Sequence, residues 1–326
     1  MIGTEFLKGQ GLGNRLFCYV TARCLAEDLG VPFCTAGQEY LQADFLDLDL
    51  GIRVTDPSSM HRYDEREERI YLPTSAHDMV HGIYIAGADP GLLKIKDNTL
   101  VYGNLQDESY FQRHKEEIRE WLRVKPDFES DEYTADDLCI LNMRGSEYEG
   151  KPELYLRRQY WVDAMRIMRG IKPGMRFMIV TEDEEAAKRL FPSVEAHHFG
   201  PEKDYVTVKN ARYLIVSNSS FAFFPAYTSK TVRKIIAPQY WARHNVSDGY
   251  WASEQNIYDE FMYLGRDGRL RSAKECREEL RTWKKPDTHP FAADDPAVAA
   301  VQRKNRRHVL LQKALYKAGR CMGLLR

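Results

Sequence analysis

Short apolar runs alternate with longer amphipathic segments along most of the chain, and this pattern predicts strands that alternate with helices. The predicted strands lie at residues 2–7, 99–102, 138–141, 176–181 and 213–217. The predicted helices lie at residues 16–29, 109–123, 160–168 and 184–190. Apolar strands that alternate with helices form parallel sheets, so the pattern predicts an α/β fold with a parallel sheet in each half.

A polar, acidic stretch at residues 126–137 separates the two α/β series and predicts an interdomain linker. We therefore expect a Rossmann-like N-terminal domain over residues 1–130. A second Rossmann-like domain is expected over residues 131–290. Residues 291–326 form a separate basic tail. A charged run at residues 62–69 is expected to be a solvated loop or helix face.

Composition narrows the class of protein. The chain has 326 residues, of which 43% are hydrophobic, and this length accommodates two ordinary domains. The formal net charge of -1 gives no indication of nucleic-acid binding. The six cysteines are scattered without a C-x-x-C pair, and we expect Cys18 and Cys139 to be core residues in a reducing cytosol. We expect neither a signal peptide nor a membrane span.

A glycine-rich turn, Gly9-Gln-Gly11-Leu-Gly13-Asn14-Arg15, lies between the first predicted strand and the first predicted helix. In this setting backbone N–H groups and the positive end of a helix face a bound anion. The turn lacks the Lys-Ser/Thr of a P-loop and the G-x-G-x-x-G of a dinucleotide site. The alternative is a tight connection that merely needs glycine.

Polar residues follow two of the predicted strands in the second half. Arg144 follows residues 138–141, and Glu147 comes three residues later, where it can orient the arginine or accept a proton. A surface Arg-Glu pair is the alternative. Asp183 follows residues 176–181 and is expected to cap the next helix, with a ribose or base contact as the minority interpretation.

The strongest local signal of the second half follows residues 213–217. Four small polar residues and an aromatic one precede an apolar segment, namely Ser217, Asn218, Ser219, Ser220 and Phe221. A helix cap needs one such residue rather than four, so the run indicates an anion site at a helix N-terminus. Phe221, Phe223 and Phe224 are expected to pack in the core.

Six segments together resemble the bacterial α-1,2-fucosyltransferases of glycosyltransferase family 11. The family's G-G-L-G-N-Q-M-F-Q-Y segment is similar to residues 9–19, and its H-x-R-R-x-D motif is similar to residues 142–147. Its S-N-S-[ST]-F-S-W-W motif is similar to residues 217–224. The other three segments fall in the family's order at residues 103–111, 158–161 and 181–183.

The resemblance implies a GT-B-like pair of Rossmann domains that transfers L-fucose from GDP-fucose to a galactose hydroxyl, with inversion and without an essential metal or other cofactor. The acceptor would be an oligosaccharide or lipid-linked glycan of a bacterial surface polysaccharide such as O-antigen. The domain at 1–130 would be on the acceptor side, and the domain at 131–290 would bind the nucleotide sugar. Arg144 would neutralise the leaving diphosphate. The remaining donor-binding positions would be Gly11, Gly13, Asn14, Arg15, Asn142, Asp183, Ser217, Asn218, Ser219, Ser220 and Phe221.

The chain departs from the family at the arginine motif. Asn142 stands in place of its histidine, Gly145 in place of its second arginine, and Glu147 in place of its aspartate. Glu147 is the first candidate for the general base, followed by Asp183 and Asp204. Two alternatives stay open: a different nucleotide-sugar donor, or an inactive nucleotide- or sugar-binding homologue in a glycan assembly complex.

The last 24 residues, 303–326, carry eight Lys or Arg residues and no Asp or Glu. Apolar residues recur at helical spacing, with basic residues largely opposite. This pattern predicts a basic amphipathic helix, either resting on an anionic inner leaflet near a lipid-linked acceptor or packed on protein. The expected location is cytoplasmic, with peripheral membrane contact as an additional possibility.

Overall fold

The computed structural model describes most of the chain up to residue 283 and a few positions near the C-terminus. The described residues are 1–66, 69–71, 84–151, 154–245, 247, 251, 254–283, 310, 311, 314, 315, 317 and 318. Most of the tail over residues 291–326 lies outside them, so the predicted amphipathic helix is described only at the last six of these positions, which are helical and exposed. No helix in these ranges combines the length and apolar character needed to cross a bilayer.

The first half contains a five-stranded sheet in which all strands are parallel, ordered β3-β2-β1-β7-β4. Its strands are β1 (Ile2–Glu5), β2 (Phe33–Ala36), β3 (Ile52–Arg53), β4 (His61–Asp64) and β7 (Thr99–Tyr102). An antiparallel pair, β5 (Arg69–Tyr71) and β6 (Tyr84–Ala86), lies outside this sheet.

The second half contains a seven-stranded sheet ordered β10-β9-β8-β11-β12-β13-β14. Its strands are β8 (Leu138–Asn142), β9 (Arg176–Val180), β10 (Glu195–His197), β11 (Tyr213–Val216), β12 (Lys234–Pro238), β13 (Met262–Leu264) and β14 (Leu270–Ser272). The first six are parallel and follow the order 3-2-1-4-5-6 of the doubly wound nucleotide fold. The predicted α/β class with two parallel sheets is confirmed.

Seven α-helices fall within the described residues up to 283. They are α1 (Leu12–Leu29), α2 (Lys115–Trp121), α3 (Arg158–Ile171), α4 (Glu184–Leu190), α5 (Pro201–Asn210), α6 (Phe223–Tyr227) and α7 (Ala273–Trp283). Strand β7 and helix α4 have the predicted bounds. The predicted helix at 109–123 is wrong in its first part, which consists of two 3-10 turns before α2. The prediction of a loop or helix face for the charged run at 62–69 is also partly wrong, because residues 62–64 belong to strand β4.

One hydrophobic core contains residues from both sheets, among them Ile2 and Ile140. Phe17 of α1 stacks on Phe223 of α6 with ring centroids 4.8 Å apart, and it contacts Phe224 at 4.7 Å. Phe223 and Phe224 are both buried, as predicted. The helix after the first strand is thereby packed against the segment after β11, so the two halves share their packing. The domain boundaries at 130 and 290 stay a prediction.

Candidate functional site

A cleft of about 260 Å³ lies where loops from the carboxyl ends of both sheets meet. Its lining residues follow strands β1 and β2 on one side and strands β8, β9, β10 and β11 on the other. The second sheet reverses its strand order between β8 and β11, and ligands of doubly wound folds bind at this switch point. The lining residues are Gln10, Gly11, Leu12, Arg15, Gln42, Asn142, Met143, Arg144, Thr181, Glu182, His198, Pro201, Asp204, Ser219 and Phe221.

The first-half wall of the cleft is the start of α1. Gly11 is the N-cap residue in an extended conformation, no side chain caps the helix, and its first turn contains no acidic residue. An 18-residue helix with such an end offers backbone N–H groups and a positive dipole to an anion. Asn14 does not line the cleft; its side-chain oxygen instead accepts a hydrogen bond from Gln106 Nε2 at 3.1 Å.

Arg15 places a cation in this wall. The residue is only 5% exposed, and its terminal nitrogens donate long hydrogen bonds of 3.3–3.5 Å to the oxygens of Leu7, Leu41 and Gln42. Its Nε is buried without a hydrogen-bond partner, and no carboxylate of the described chain pairs with it. Burial lowers the pKa of the Arg15 guanidinium, which is the cost of holding an uncompensated charge away from water.

Arg144 supplies a second cation, on the opposite wall. Its Nε lies 3.3 Å from Glu182 Oε1, and the same oxygen accepts the Gly145 N–H at 3.0 Å. The guanidinium also lies over the Tyr148 ring, 5.6 Å from its centroid. The arginine is therefore oriented by Glu182, which follows strand β9. The side chain of Glu147, the carboxylate expected to orient this arginine, lies outside the described part of the structure.

Asp183 acts as a cap, which was the majority expectation. Its Oδ1 accepts the Ala186 N–H at 2.9 Å at the start of α4, and its Oδ2 accepts the Ser146 N–H at 2.9 Å. Asp183 does not line the cleft. The geometry therefore gives the minority interpretation, a contact to the donor, no support.

The serine-rich turn divides into a part that lines the cleft and a part that does not. Ser219 and Phe221 line the cleft, and Phe221 packs edge-on against Tyr205. Ser217 and Asn218 are buried behind them; Asn218 Nδ2 donates to the Leu154 carbonyl at 2.9 Å, whereas Ser217 Oγ lacks a partner in the described chain. The expectation that Phe221 packs in the core is thus only partly met, because its ring reaches the cleft.

The backbone of Ser220 touches the glycine turn. A Cβ placed on Gly13 would lie 2.4 Å from the Ser220 carbonyl carbon and 2.5 Å from the Phe221 nitrogen. Gly13 is therefore a contact between α1 and the turn after β11, and it does not line the cleft. Gly11, where a Cβ would meet nothing within 4 Å, is the glycine of this turn that faces open space in the cleft.

Three acidic or basic lining residues were absent from the predicted set of donor-binding positions: Glu182, His198 and Asp204. Asp204 was considered only as a base. His198 follows β10, a three-residue strand too short for its apolar pattern to be recognised. The rule that ligands bind beyond strand ends would have found His198 had that strand been predicted. Among the residues described here, no group of three or more His, Cys, Asp or Glu side chains is suited to hold a metal ion.

Comparisons with known proteins give distant structural similarity but no match in sequence. No protein-family model matches the sequence, and no similar sequence is found among curated proteins. A crystal structure of a glycosyl transferase family 9 protein from Veillonella parvula superposes with a TM-score of 0.42 and 13% sequence identity, over 86% of this chain and 95% of that one. The resemblance to family 11 therefore rests on its six segments alone.

Proposed function

We propose that this protein is a glycosyltransferase that uses a nucleotide diphosphate sugar as donor and a sugar hydroxyl as acceptor. The observation that carries the proposal is Arg15, a buried guanidinium with no carboxylate partner in the described chain, in the wall of a cleft between two Rossmann-type sheets. An anion bound there would relieve the electrostatic cost of burying this charge. Perturbed, uncompensated charges of this kind are concentrated at functional sites.

The rest of the cleft fits a diphosphate. The uncapped N-terminus of α1 offers N–H donors beside Arg15, and Arg144 faces them from the second half. Arginine binds phosphate oxygens through a fork of parallel donors. Charge that develops on a leaving diphosphate would thus be stabilised from both sides by groups that are already oriented, and such electrostatic stabilisation is commonly the largest part of catalysis.

In its finer form, the proposal follows the resemblance to family 11: transfer of L-fucose from GDP-fucose to a galactose-type acceptor in bacterial surface glycan synthesis, with inversion and without an essential metal. Arg15 stands where the family segment has glutamine, and Gly145 stands where the family has a second arginine. The family's two positive charges on one loop would here be divided between two walls. Contact of the basic tail with the membrane, on the cytoplasmic side, belongs to this finer proposal as well.

Nucleotide binding tests the proposal. We expect GDP to raise the melting temperature more than UDP, dTDP or CMP, because a ligand that binds the native state stabilises it. The variant Arg15→Met should weaken GDP binding roughly 10- to 100-fold, as expected for the loss of charged hydrogen bonds. Without ligand, its melting temperature should be unchanged or higher, since the variant removes an uncompensated buried charge.

The matched control is Arg166→Met, an arginine on α3 with 66% side-chain exposure that does not line the cleft. It should bind GDP like the wild type. If no nucleotide shifts the melting temperature, the proposal is wrong. Stronger stabilisation by UDP or dTDP would instead favour the alternative of a different donor.

Turnover separates an enzyme from a binding protein. We expect release of GDP from GDP-fucose, faster in the presence of a β-galactoside, as followed by a coupled nucleotide assay. Tight GDP binding without release of sugar from any tested donor would identify an inactive homologue. Asn142 and Gly145, which replace a histidine and an arginine of the family motif, are the observations that favour this second candidate.

A further inference from the structure

A histidine and a buried aspartate form a hydrogen-bonded pair in the second-half wall of the cleft. His198 comes directly after β10, and its Nδ1 lies 2.8 Å from Oδ2 of Asp204, in the first turns of α5. Both residues line the cleft. The histidine side chain is 42% exposed, whereas that of the aspartate is only 7% exposed. The pair therefore presents the imidazole to the cleft and keeps the carboxylate behind it.

The carboxylate is fixed in place. Asp204 Oδ1 accepts the Phe199 N–H at 3.0 Å while Oδ2 bonds to the histidine ring. Burial raises the pKa of Asp204, and these two hydrogen bonds oppose that shift. While Asp204 is ionised it only accepts hydrogen bonds, and in that state Nδ1 of His198 is the donor and the neutral ring carries its lone pair on Nε2.

The neighbouring charges are arranged around this pair. Glu184 Oε1 on α4 accepts the His198 backbone N–H at 3.1 Å. Glu182 and Arg144 line the same cleft from the loops after β9 and β8, and they pair with each other. Asn142, also in the lining, is neutral. His198 is thus the lining residue whose imidazole is oriented by a buried carboxylate that would also stabilise the ring once it is protonated.

The adjacent histidine has a different environment. The His197 ring stacks on Phe199 with centroids 4.7 Å apart, and its Nε2 lies 2.5 Å from Glu195 Oε1. It does not line the cleft. Two consecutive histidines therefore offer a matched comparison, in which one reaches the cleft and the other does not.

We propose that His198 is the general base that deprotonates the acceptor hydroxyl, with Asp204 as its positioning residue. This inference rests on the proposed function. Nε2 takes the hydroxyl proton as the acceptor oxygen bonds to the anomeric carbon of the donor sugar. The bond between that carbon and the phosphate oxygen breaks, and its electron pair leaves with the nucleoside diphosphate. Asp204 stabilises the imidazolium that forms.

The experiment compares binding with turnover in the full-length protein. GDP affinity is measured by calorimetry, and GDP release from GDP-fucose is followed with and without lactose. We expect His198→Gln to lower kcat by roughly 10²-fold or more, the usual contribution of a general base, with GDP affinity within threefold of the wild type. His197→Gln, the control, should keep wild-type kcat.

Asp204→Asn tests the positioning role. It retains an acceptor for the Phe199 N–H, but it no longer offers a negative charge to the imidazolium. Its Nδ2 would face Nδ1 of His198 and favour the tautomer with the proton on Nε2, so we expect kcat to fall about as much as in His198→Gln, and the acidic limb of the kcat profile should move to lower pH. A purely structural role for Asp204 would lower the melting temperature without moving this limb.

The other outcomes overturn the inference. If His198→Gln weakens GDP binding as much as it lowers kcat, His198 is a nucleotide contact. If Glu147→Gln abolishes turnover while His198→Gln does not, the base is Glu147. If the wild-type protein binds GDP but shows no turnover, the general-base inference is wrong while nucleotide binding stands. If the wild-type protein does not bind GDP, the proposed function itself is wrong.

Discussion

Gly145 illustrates how packing at a single position restricts which residue a loop can contain. A Cβ at this position would lie 2.6 Å from the Cβ of Asp183, closer than Cβ contacts occur. Asp183 is held there because it caps α4 and accepts the Ser146 N–H. A second arginine at Gly145 would therefore require the capping aspartate to move. Cap and arginine compete for one space, and in this chain the cap occupies it.

The two glycines of the opening turn give a prediction at the same scale. Gly11→Ala should leave the unfolding free energy unchanged, since its φ of -73° suits alanine and its Cβ would meet nothing. GDP affinity should nevertheless fall, because a ligand that approaches the backbone would meet the methyl group. Gly13→Ala should cost about 1–3 kcal/mol of unfolding free energy, since its Cβ would meet the backbone of Ser220 and Phe221.

Urea unfolding and calorimetry with GDP check this pair. Alanine is favoured over glycine inside a helix by about 1 kcal/mol, and this gain opposes the clash at Gly13. We expect the clash to dominate because the nearby atoms belong to the backbone. Unchanged GDP affinity in Gly11→Ala would show that no ligand approaches the turn.

At the scale of elements, the sequence predicts which segments are helices and strands better than where they begin. The predicted start of α1 was residue 16, whereas the helix begins at Leu12. Glycine usually marks a turn, but Gly13 lies inside the helix, where the close contact with the backbone of Ser220 leaves no room for a Cβ. Ser220 is about 200 residues away in the sequence, so no local pattern indicates that this helical position needs glycine.

The predicted helix at 109–123 fails for a related reason. Phe111 separates two 3-10 turns, and its φ and ψ of -137° and -7° are not helical. Its ring is fully buried, 6.0 Å from the Phe17 ring and 6.0 Å from the Phe224 ring. Packing of this ring against the second half therefore overrides the local helical periodicity. By contrast, the rule that ligands bind beyond the carboxyl ends of parallel strands depends on topology alone, and it indicated loops that line the cleft.

The cap of α4 gives a prediction at the element scale. Asp183→Ala should lower the unfolding free energy by about 1–2 kcal/mol, because it removes the cap and the acceptor of the Ser146 N–H. Asp183→Asn keeps an oxygen for the cap and should lose less. If Asp183 is structural, the asparagine variant should bind GDP within twofold of the wild type. A large loss of GDP affinity in a stably folded Asp183→Asn would instead restore its predicted role as a donor contact.

At the scale of the whole molecule, polar contacts reinforce the shared core. Gln255 Nε2 donates to Glu65 Oε1 at 3.1 Å, and Asn256 Nδ2 donates to Gln106 Oε1 at 3.1 Å. Gln106 in turn bonds to Asn14 of α1. Because the halves share both apolar and polar contacts, we infer that they unfold together. Single polar residues separated by 150 positions or more carry no local signal, so the sequence could not predict these contacts.

Glu108 and Arg277 form a further bridge between the halves. Glu108 Oε2 lies 3.0 Å from an Arg277 nitrogen and also accepts the Asp259 N–H at 3.1 Å. Burial, followed by the nearby negative charge of Asp259, raises the pKa of Glu108 to about 7, although the arginine opposes the shift. The cost of burial exceeds the gain from the ion pair, so the folded protein holds this carboxyl protonated in mild acid.

This bridge predicts a pH dependence of stability. A carboxyl whose pKa is higher in the folded state stabilises that state below its unfolded pKa, near 4.5, and loses this contribution as pH rises to about 7. The difference in unfolding free energy between wild type and Glu108→Gln should therefore fall by up to ~3 kcal/mol across this range. The variant serves as the reference because other groups titrate in both proteins. Burial lowers the pKa of His244 to about 4, for example, so this histidine makes both proteins more stable as pH rises, and its effect cancels in the difference.

Urea titrations at half-unit pH steps measure this difference. Glu116→Gln is the control, because Glu116 lies on the neighbouring helix α2 with 75% of its side chain exposed, and it should follow the wild type at every pH. Parallel curves for wild type and Glu108→Gln would mean that Glu108 titrates as it does in the unfolded chain. A difference that grows with pH would mean that the ion pair with Arg277 outweighs the cost of burying Glu108. The sign of the slope therefore shows which of these two effects dominates at this contact between the halves.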